Sequence, residues 1–359
     1  MNSDVLIPIE SCLGTIIRVA RLDSLLRTIR PIKVPILMYH SVTLNNGTSE
    51  TCLSLAGMCV SVAQFQKHME YLLKRYNTIS LFDFIEWLSG KKKLPKNPCI
   101  ITFDDGFLDV YENAVPILRR LGLTATFFVI GRTLETGNSM WLYELYTILD
   151  SLPIAHCISV FSAEIENFPL TERASKAQIR SWIRHYFSSI DKDKRNQLLG
   201  RFRHRFNGDS LKPLEFMDPQ QVRELMVDGF QVGSHSMNHE YLSKLGDSQL
   251  EEDIGESKRT ISEIIGDTPK TFCYPFGGID SWDKRVVEIL KKKGFLCAVS
   301  TVEGLNNWNT DLFALQRIRV TGNIPLPVFV FRILGLRSWL WWLHTNFRKL
   351  KGSINSASS

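Results

Sequence analysis

The chain has 359 residues, of which 44% are hydrophobic and 22% charged, an ordinary globular balance with material for one large domain or one domain plus an insertion. Its formal net charge of +6 is mild for this length. The one tight basic cluster, Lys91, Lys92 and Lys93, reads as a solvated loop, so nucleic acid is excluded as the main partner. Seven cysteines, an odd number scattered from Cys12 to Cys297 without zinc-ribbon spacing, argue against a disulfide framework and for a reducing compartment. Glu10, Arg18, Arg21 and Asp23 interrupt the apolar positions near the N-terminus, so no signal-peptide core forms. No uncharged apolar stretch reaches about eighteen residues. The expectation is a cytoplasmic protein without a membrane span.

Taken in order, residues 1–33 form a helical lead-in, amphipathic through Ile16, Ile17, Leu22, Leu25, Leu26 and Ile29, that caps the fold or touches a membrane. Residues 34–39 read as a buried strand ending at His40, and residues 43–60 as a long polar loop. Residues 62–75 show helical spacing, residues 78–80 a short strand, and residues 81–88 a second helix. The strand around residue 100 is followed by a helix over 111–121 and a strand over 124–130. Residues 132–215 then break the rhythm with charged helices over 141–149, 176–187 and 192–206, an inserted helical subdomain without an assignable motif. Alternation resumes with a helix over 219–227, a strand over 231–234, a helix over 249–265 and a strand over 270–274. A helix over 284–293 and strands over 295–300 and 316–320 complete it. Alternation of this kind predicts a parallel sheet with helical crossovers, and seven to eight strands suffice to close an irregular (β/α) barrel over residues 34–325. In such barrels the site lies at the C-terminal mouth. Residues 326–359, with Arg332, Arg337, Trp339, Trp341, Trp342, Arg348, Lys349 and Lys351, form a basic aromatic tail suited equally to packing on the barrel and to peripheral membrane contact.

Two stretches carry chemistry. Ile100 to Phe107 reads Ile-Ile-Thr-Phe-Asp-Asp-Gly-Phe, a buried strand whose end turns sharply at Gly106 so that Asp104 and Asp105 can converge despite the two-residue pleat. Downstream, His235 and His239 follow another strand at a spacing that places two imidazoles on one side of a helical turn. One carboxylate and two histidines make three ligands with a position left open, the layout of a catalytic metal site. Alone, an Asp-Asp-Gly is usually a solvated turn and a His-x-x-x-His usually surface or core. Together, each at the end of a predicted strand, they point to a site. His40 and the turn at Pro275, Phe276, Gly277 and Gly278 fall at the same mouth.

Thr102 to Gly106, then His235-Ser236-x-x-His239, then Tyr274-Pro275-Phe276-Gly277, resemble the motifs of the polysaccharide deacetylases, the NodB-like carbohydrate esterases of family 4, over residues 34–320 without the insertion. The resemblance implies an irregular (β/α) barrel that removes acetyl groups from sugars with a divalent metal, Zn2+ or another such as Co2+, Ni2+ or Fe2+. By position it makes Asp104 the general base, Asp105, His235 and His239 the metal ligands, the Phe276 backbone N–H part of the oxyanion hole, and Tyr274 and Pro275 substrate-binding. Met38-Tyr39-His40 and the helices over 62–88 are similar to the exopolysaccharide poly-N-acetylglucosamine deacetylases, whose motifs are permuted, and this makes His40 the general acid. Cys273 stands where many members carry the arginine that orients the base, so Arg317 or Arg319 is the candidate to supply that charge.

These readings imply an N-acetylated glycan as partner, in exopolysaccharide or cell-surface glycan biosynthesis, and a place in the cytoplasm or on the inner membrane face. A deformylase or O-acetyl esterase acting on a related glycan, and a catalytically degenerate carbohydrate-binding protein motivated by Cys273, are the competing expectations.

Overall fold

The computed structural model describes residues 3–20, 22–29, 33–44, 57–137, 140–205, 214–322 and 324–337. Its centre is built from strands that are apolar on both faces, the pattern of parallel strands wrapped by helices. β1 (Ile36–Tyr39), β5 (Pro98–Phe103) and β6 (Thr126–Val129) are buried at every position. With β7 (Gln231–Ser234), β8 (Thr271–Cys273), β9 (Cys297–Glu303) and β10 (Leu315–Arg319) they run parallel in the ring β1-β5-β6-β7-β8-β9-β10, closed where β10 pairs with β1.

Seven strands therefore close the barrel. The strand expected at 78–80 is the two-residue β4 (Asn77–Thr78), which pairs with the first residues of β5 and stays outside the ring. The loop expected over 43–60 contains a small parallel pair, β2 (Ser41–Thr43) with β3 (Cys59–Ser61), and residues 45–56 lie outside the described residues.

The two-residue pleat divides each strand between two layers. Leu37, Tyr39, Ile101, Phe103, Phe127 and Val129 point outward under the helices, where Phe103 lies between Tyr39 (ring centroids 5.5 Å) and Phe127 (5.0 Å). Ile36, Ile100, Phe128, Cys273, Val299 and Leu315 share the other, inner cluster. Phe128 fills that interior so fully that a Cβ on Gly233 would lie 2.6 Å from its ring. Glycine on β7 is thus a packing requirement.

The helical layer comprises α3 (Val62–Arg75), α4 (Leu81–Leu88), α5 (Val115–Leu121, entered through a wide turn at Val110–Ala114), α11 (Pro219–Val227), α12 (Asp247–Ile265) and α13 (Lys284–Lys292). Side-chain caps set where several begin. Ser61 accepts from the Gln64 N–H, Ser80 and Asp83 form a reciprocal box, and Asp218 does the same with Gln221.

The insertion holds α6 (Gly131–Thr136), α7 (Trp141–Ser151), α8 (Ile154–Glu164), α9 (Lys176–Phe187) and α10 (Lys192–Arg205). The apolar patch around Ile158 proves to be the buried side of α8, joined through the Phe161–Phe202 ring contact at 4.9 Å to α10. The lead-in is two helices, α1 (Ser3–Val19) and α2 (Leu22–Ile29). α1 packs on α14 (Leu326–Ile333) so closely that a Cβ on Gly14 would lie 2.0 Å from the Pro327 carbonyl oxygen. Buried Glu10 accepts from Arg332 at 3.0 Å and pairs with Arg337 at 3.2 Å. The first part of the tail thus belongs to the fold, while Trp339, Trp341, Trp342, Arg348, Lys349 and Lys351 lie outside the described residues. Among the described residues, no helix is long and apolar enough to cross a membrane.

Replacing Gly233 with Ala forces the Phe128 ring to shift inside a filled barrel. The expected cost is about 1–3 kcal/mol, read as a lower urea midpoint with an unchanged slope.

Candidate active site

Strand register delivers the reactive side chains. Tyr39 of β1 stands opposite Phe103 of β5, so the next residues, His40 and Asp104, leave the barrel side by side. His40 Nε2 lies 3.9 Å from Asp104 Oδ2, with the histidine side chain 14% exposed and the aspartate 2%. Both line the cleft, the histidine as the more open of the two.

Asp104 is held by Arg317, which is fully buried. Nη1 and Nη2 donate to Oδ1 and Oδ2 at 2.7 Å each, a bidentate fork. The same guanidinium donates through Nε to the Ser300 carbonyl at 2.7 Å, through Nη1 to Thr102 Oγ1 at 3.2 Å and through Nη2 to Cys273 Sγ at 3.3 Å. Burial alone would raise the Asp104 pKa, but the Arg317 charge and its hydrogen bonds outweigh burial and hold the carboxyl below its ordinary range. Arg319 sits one pleat further toward the mouth, lines the same cleft and forms no ion pair with Asp104. Of the two arginines expected beside Asp104, Arg317 is the one that touches it.

Asp105 is built differently. The turn out of β5 begins at Asp105 itself, with φ 73°, and continues through Gly106 at φ 78°, so the carboxylate rather than the glycine alone leaves the pleat. Its Oδ1 lies 3.2 Å from His235 Nε2 and 3.4 Å from His239 Nε2, and its Oδ2 accepts from the Tyr143 hydroxyl at 2.7 Å. All three ligand candidates are buried. The histidines do not share a helical turn. After β7 the chain bends through left-handed Ser236 (φ 64°) and His239 (φ 52°), and the Ser236 hydroxyl accepts the His239 N–H at 2.9 Å. Asp253 of α12 ties the bend down by accepting the Met237 and Asn238 N–H groups at 3.0 Å each.

His235 Nδ1 lies 2.8 Å from the Cys273 carbonyl oxygen, which can only accept, so Nδ1 carries a proton and Nε2 is the nitrogen turned toward Asp105. The Nε2 atoms of both histidines thus converge on one buried Asp105 oxygen. Burial disfavours a charged His235, yet Cys273 and the Asp105 carboxylate outweigh it and raise its pKa well above the ordinary value. Likewise burial opposes ionised Asp105, and the two histidines hold it well below its ordinary value. The pocket is short of positive charge.

A divalent cation meets that shortage, since the ligand atoms of Asp105, His235 and His239 lie within 4.8 Å of one another. Asp104, His235 and Cys273 satisfy the same distance, but both Asp104 oxygens are occupied by Arg317. Burial also pushes the Cys273 thiol up, keeping it neutral.

The turn after β8 brings Phe276 to the rim in a left-handed conformation, φ 62°. Its ring stacks on Tyr241 at 3.9 Å and meets His239 at 4.9 Å, and among the described residues its N–H donates to no acceptor. Tyr274 borders the cleft, but its hydroxyl donates to the Phe313 carbonyl at 2.8 Å and its ring stacks on Trp282 at 4.6 Å. Pro275 is buried beneath the turn, where its carbonyl accepts the Gly277 N–H at 2.7 Å. These groups surround the floor of an open cleft of about 750 Å3, walled by α7 and α9 of the insertion and by the chain around α14.

The family model for polysaccharide deacetylases matches residues 91–298, more than half of the chain. The protein is a polysaccharide deacetylase. Members of this family are hydrolases of amide bonds in acetylated sugars, and the closed parallel barrel is their NodB-like fold. The deacetylase is 22% identical over 305 residues to the Bacillus subtilis protein YxkH, whose name assigns it to the polysaccharide deacetylases; the match spans 85% of this chain and 77% of that one. Its fold is shared with the Streptococcus pyogenes deacetylase PplD, solved with acetate (TM-score 0.57, 17% identity, 85% of this chain and 99% of that one). IcaB from Ammonifex degensii has the same fold (TM-score 0.54, 17% identity, 85% and 98%).

Sequence reasoning missed Tyr143 and Asp253. No motif marks Tyr143, although an aromatic with a polar tip on an otherwise apolar helix stripe was a legible signal.

Arg317→Met leaves the Asp104 charge buried without a partner, and a loss of about 3–5 kcal/mol is expected at pH 7. Because the folded pKa of Asp104 lies below its unfolded value, the pair stabilises fully above about pH 4 and loses its effect as pH falls through the folded pKa. Urea midpoints at pH 7 and pH 3 should therefore show the wild-type advantage shrinking in acid; a constant advantage would refute the pairing.

Proposed function

We propose that the deacetylase removes N-acetyl groups, in a metal-dependent reaction, from an amino-sugar polysaccharide or lipid-linked glycan of exopolysaccharide or cell-surface biosynthesis. The observation that carries the reading is the charge-deficient group of Asp105, His235 and His239 beside an Asp104 locked by Arg317 at the floor of one cleft. Cys273 had motivated a degenerate binding protein, and Arg317, donating to both Asp104 and Cys273, removes that motive.

A divalent metal such as Zn2+, held by Asp105, His235 and His239, would supply Lewis acidity toward the acetyl carbonyl and acidify a water. Asp104 accepts the proton of the attacking water, its two oxygens aimed by Arg317. As the C–O bond forms, the Phe276 N–H hydrogen-bonds the developing oxyanion. His40 delivers a proton to the nitrogen as the C–N bond breaks, releasing acetate and the amine. Burial lowers the His40 pKa and, with Arg317 and Arg319, outweighs the pull of Asp105 and Asp104, so the ring is neutral at rest. The proton it delivers is acquired during the reaction, and Asp104, 3.9 Å away, is placed to hand it over. Tyr143 orients the Asp105 carboxylate from the insertion.

Elemental analysis of the purified protein and acetate release from an N-acetylglucosamine oligomer test this together. Near-stoichiometric metal with chelator-sensitive acetate is expected. Asp104→Asn should keep the metal while turnover falls by about 10²–10⁴-fold, whereas His235→Ala should lose both. A fully active Asp104→Asn protein would overturn the base assignment, and formate released in place of acetate would redirect the specificity to a formylated sugar.

A further inference from the structure

The arginines of the cleft fall into two groups. Arg180 is paired with Asp150, Arg332 with Glu10, and Arg337 with Glu10 and Glu303, so each serves the fold. Arg184 and Arg319 line the same cleft, and among the described residues neither forms an ion pair or a hydrogen bond to a carboxylate. They arrive on separate elements, Arg184 in the last turn of α9 and Arg319 at the end of β10. Arg319 is exposed at the end of its strand, and Arg184 lies close enough for its charge to be felt there: the protein packed around Arg319 and then the charges of Arg317, Arg184 and Arg337 lower its pKa, with Glu303 alone opposing. Like charges brought together at a cleft mouth concentrate a positive field there. Guanidinium forks match phosphate and carboxylate oxygens in particular.

We infer that the cleft takes a glycan carrying an anionic group, phosphoryl or carboxylate, held by Arg184 and Arg319 at the rim while its acetamido sugar occupies the floor. The inference rests on the deacetylase reading and narrows its substrate class. Arg319 is then a specificity residue rather than an orienter of Asp104, and the insertion that supplies Arg184 is part of the substrate site.

The test measures binding by calorimetry to full-length Asp104→Asn protein, which needs no turnover. Ligands are N-acetylglucosamine, N-acetylglucosamine 1-phosphate, an N-acetylglucosaminyl glucuronate disaccharide and inorganic phosphate. One or both anionic sugars should bind at least roughly tenfold more tightly than the neutral sugar, and each of Arg184→Gln and Arg319→Gln should reduce that ratio roughly tenfold. Raised salt should reduce it too. Which sugar shows the gain identifies the anion. Equal binding of neutral and anionic sugars, or a ratio that survives in the double variant, overturns the inference. So does inorganic phosphate binding as tightly as the sugar phosphate, since the anion would then be recognised without the glycan. If Arg319→Gln fails to fold, Arg184→Gln, on the surface of a helix, carries the test with Arg184→Lys as the charge-keeping control. Acetate release by wild-type protein, from the neutral oligomer and from each anionic sugar, is scored separately. Its absence with the anion preference intact would sink the deacetylase reading alone, and its presence without the preference would sink only this inference.

Discussion

Asp104 carries a negative charge at the top of a barrel floored with hydrocarbon, and it remains ionised because the buried Arg317 guanidinium meets both of its oxygens. An uncompensated carboxylate there would cost several kcal/mol. The pair also organises its surroundings. Arg317 spends its other donors on Ser300, Thr102 and Cys273, so one side chain fastens β10 to β9, β5 and β8 across the barrel interior. The charge of Asp104 and the closure of the ring thus rest on the same contact, and the small Cys273 leaves the room that a guanidinium from another strand occupies.

Around that contact the backbone is bent into uncommon shapes. Asp105, Ser236, His239 and Phe276 are all left-handed although none is glycine, and each stands within the site. Such conformations cost of order 1–3 kcal/mol each and persist because neighbours fix them: Tyr143 on Asp105, Asp253 beneath the histidine bend, Tyr241 against Phe276. The strain turns side chains from three strand ends toward one point. The inserted helices take part as well, since the wall they build reaches the Asp105 carboxylate through Tyr143.

Much of this was legible in the sequence because strands buried on both faces announce themselves as apolar runs, and because Asp104, Asp105, His235 and His239 each follow such a run. That pattern led to seven to eight strands and to the gathering of His40 with the acids at one mouth. What was not legible is what depends on neighbours distant in the chain. The His235–His239 spacing suggested a helix, but Asp253, on another element, stabilises an open bend instead. Arg317 and Arg319 share one pleat face and were indistinguishable until the register placed the first beside Asp104. The strand at Asn77–Thr78 satisfied the alternation yet pairs only with the start of β5, too low to join the ring.

The order of the strands has a consequence for how the chain comes to be folded. β10 is the last strand made, and it sits between β9 and β1, the first ring strand made. While synthesis proceeds, β1 can pair with β5, but its other edge stays open, and Asp104 has no guanidinium to face. Ring closure joins Leu37 to Ile318 and Met38 to Arg319, residues from opposite ends of the chain, and the same step delivers Arg317. Contacts of such long sequence separation form late and leave sheet edges exposed meanwhile. A ribosome-bound or truncated chain that stops short of β10 therefore lacks both the strand that closes the sheet and the guanidinium that faces Asp104, so the barrel and the Asp104 pairing depend on the same late strand.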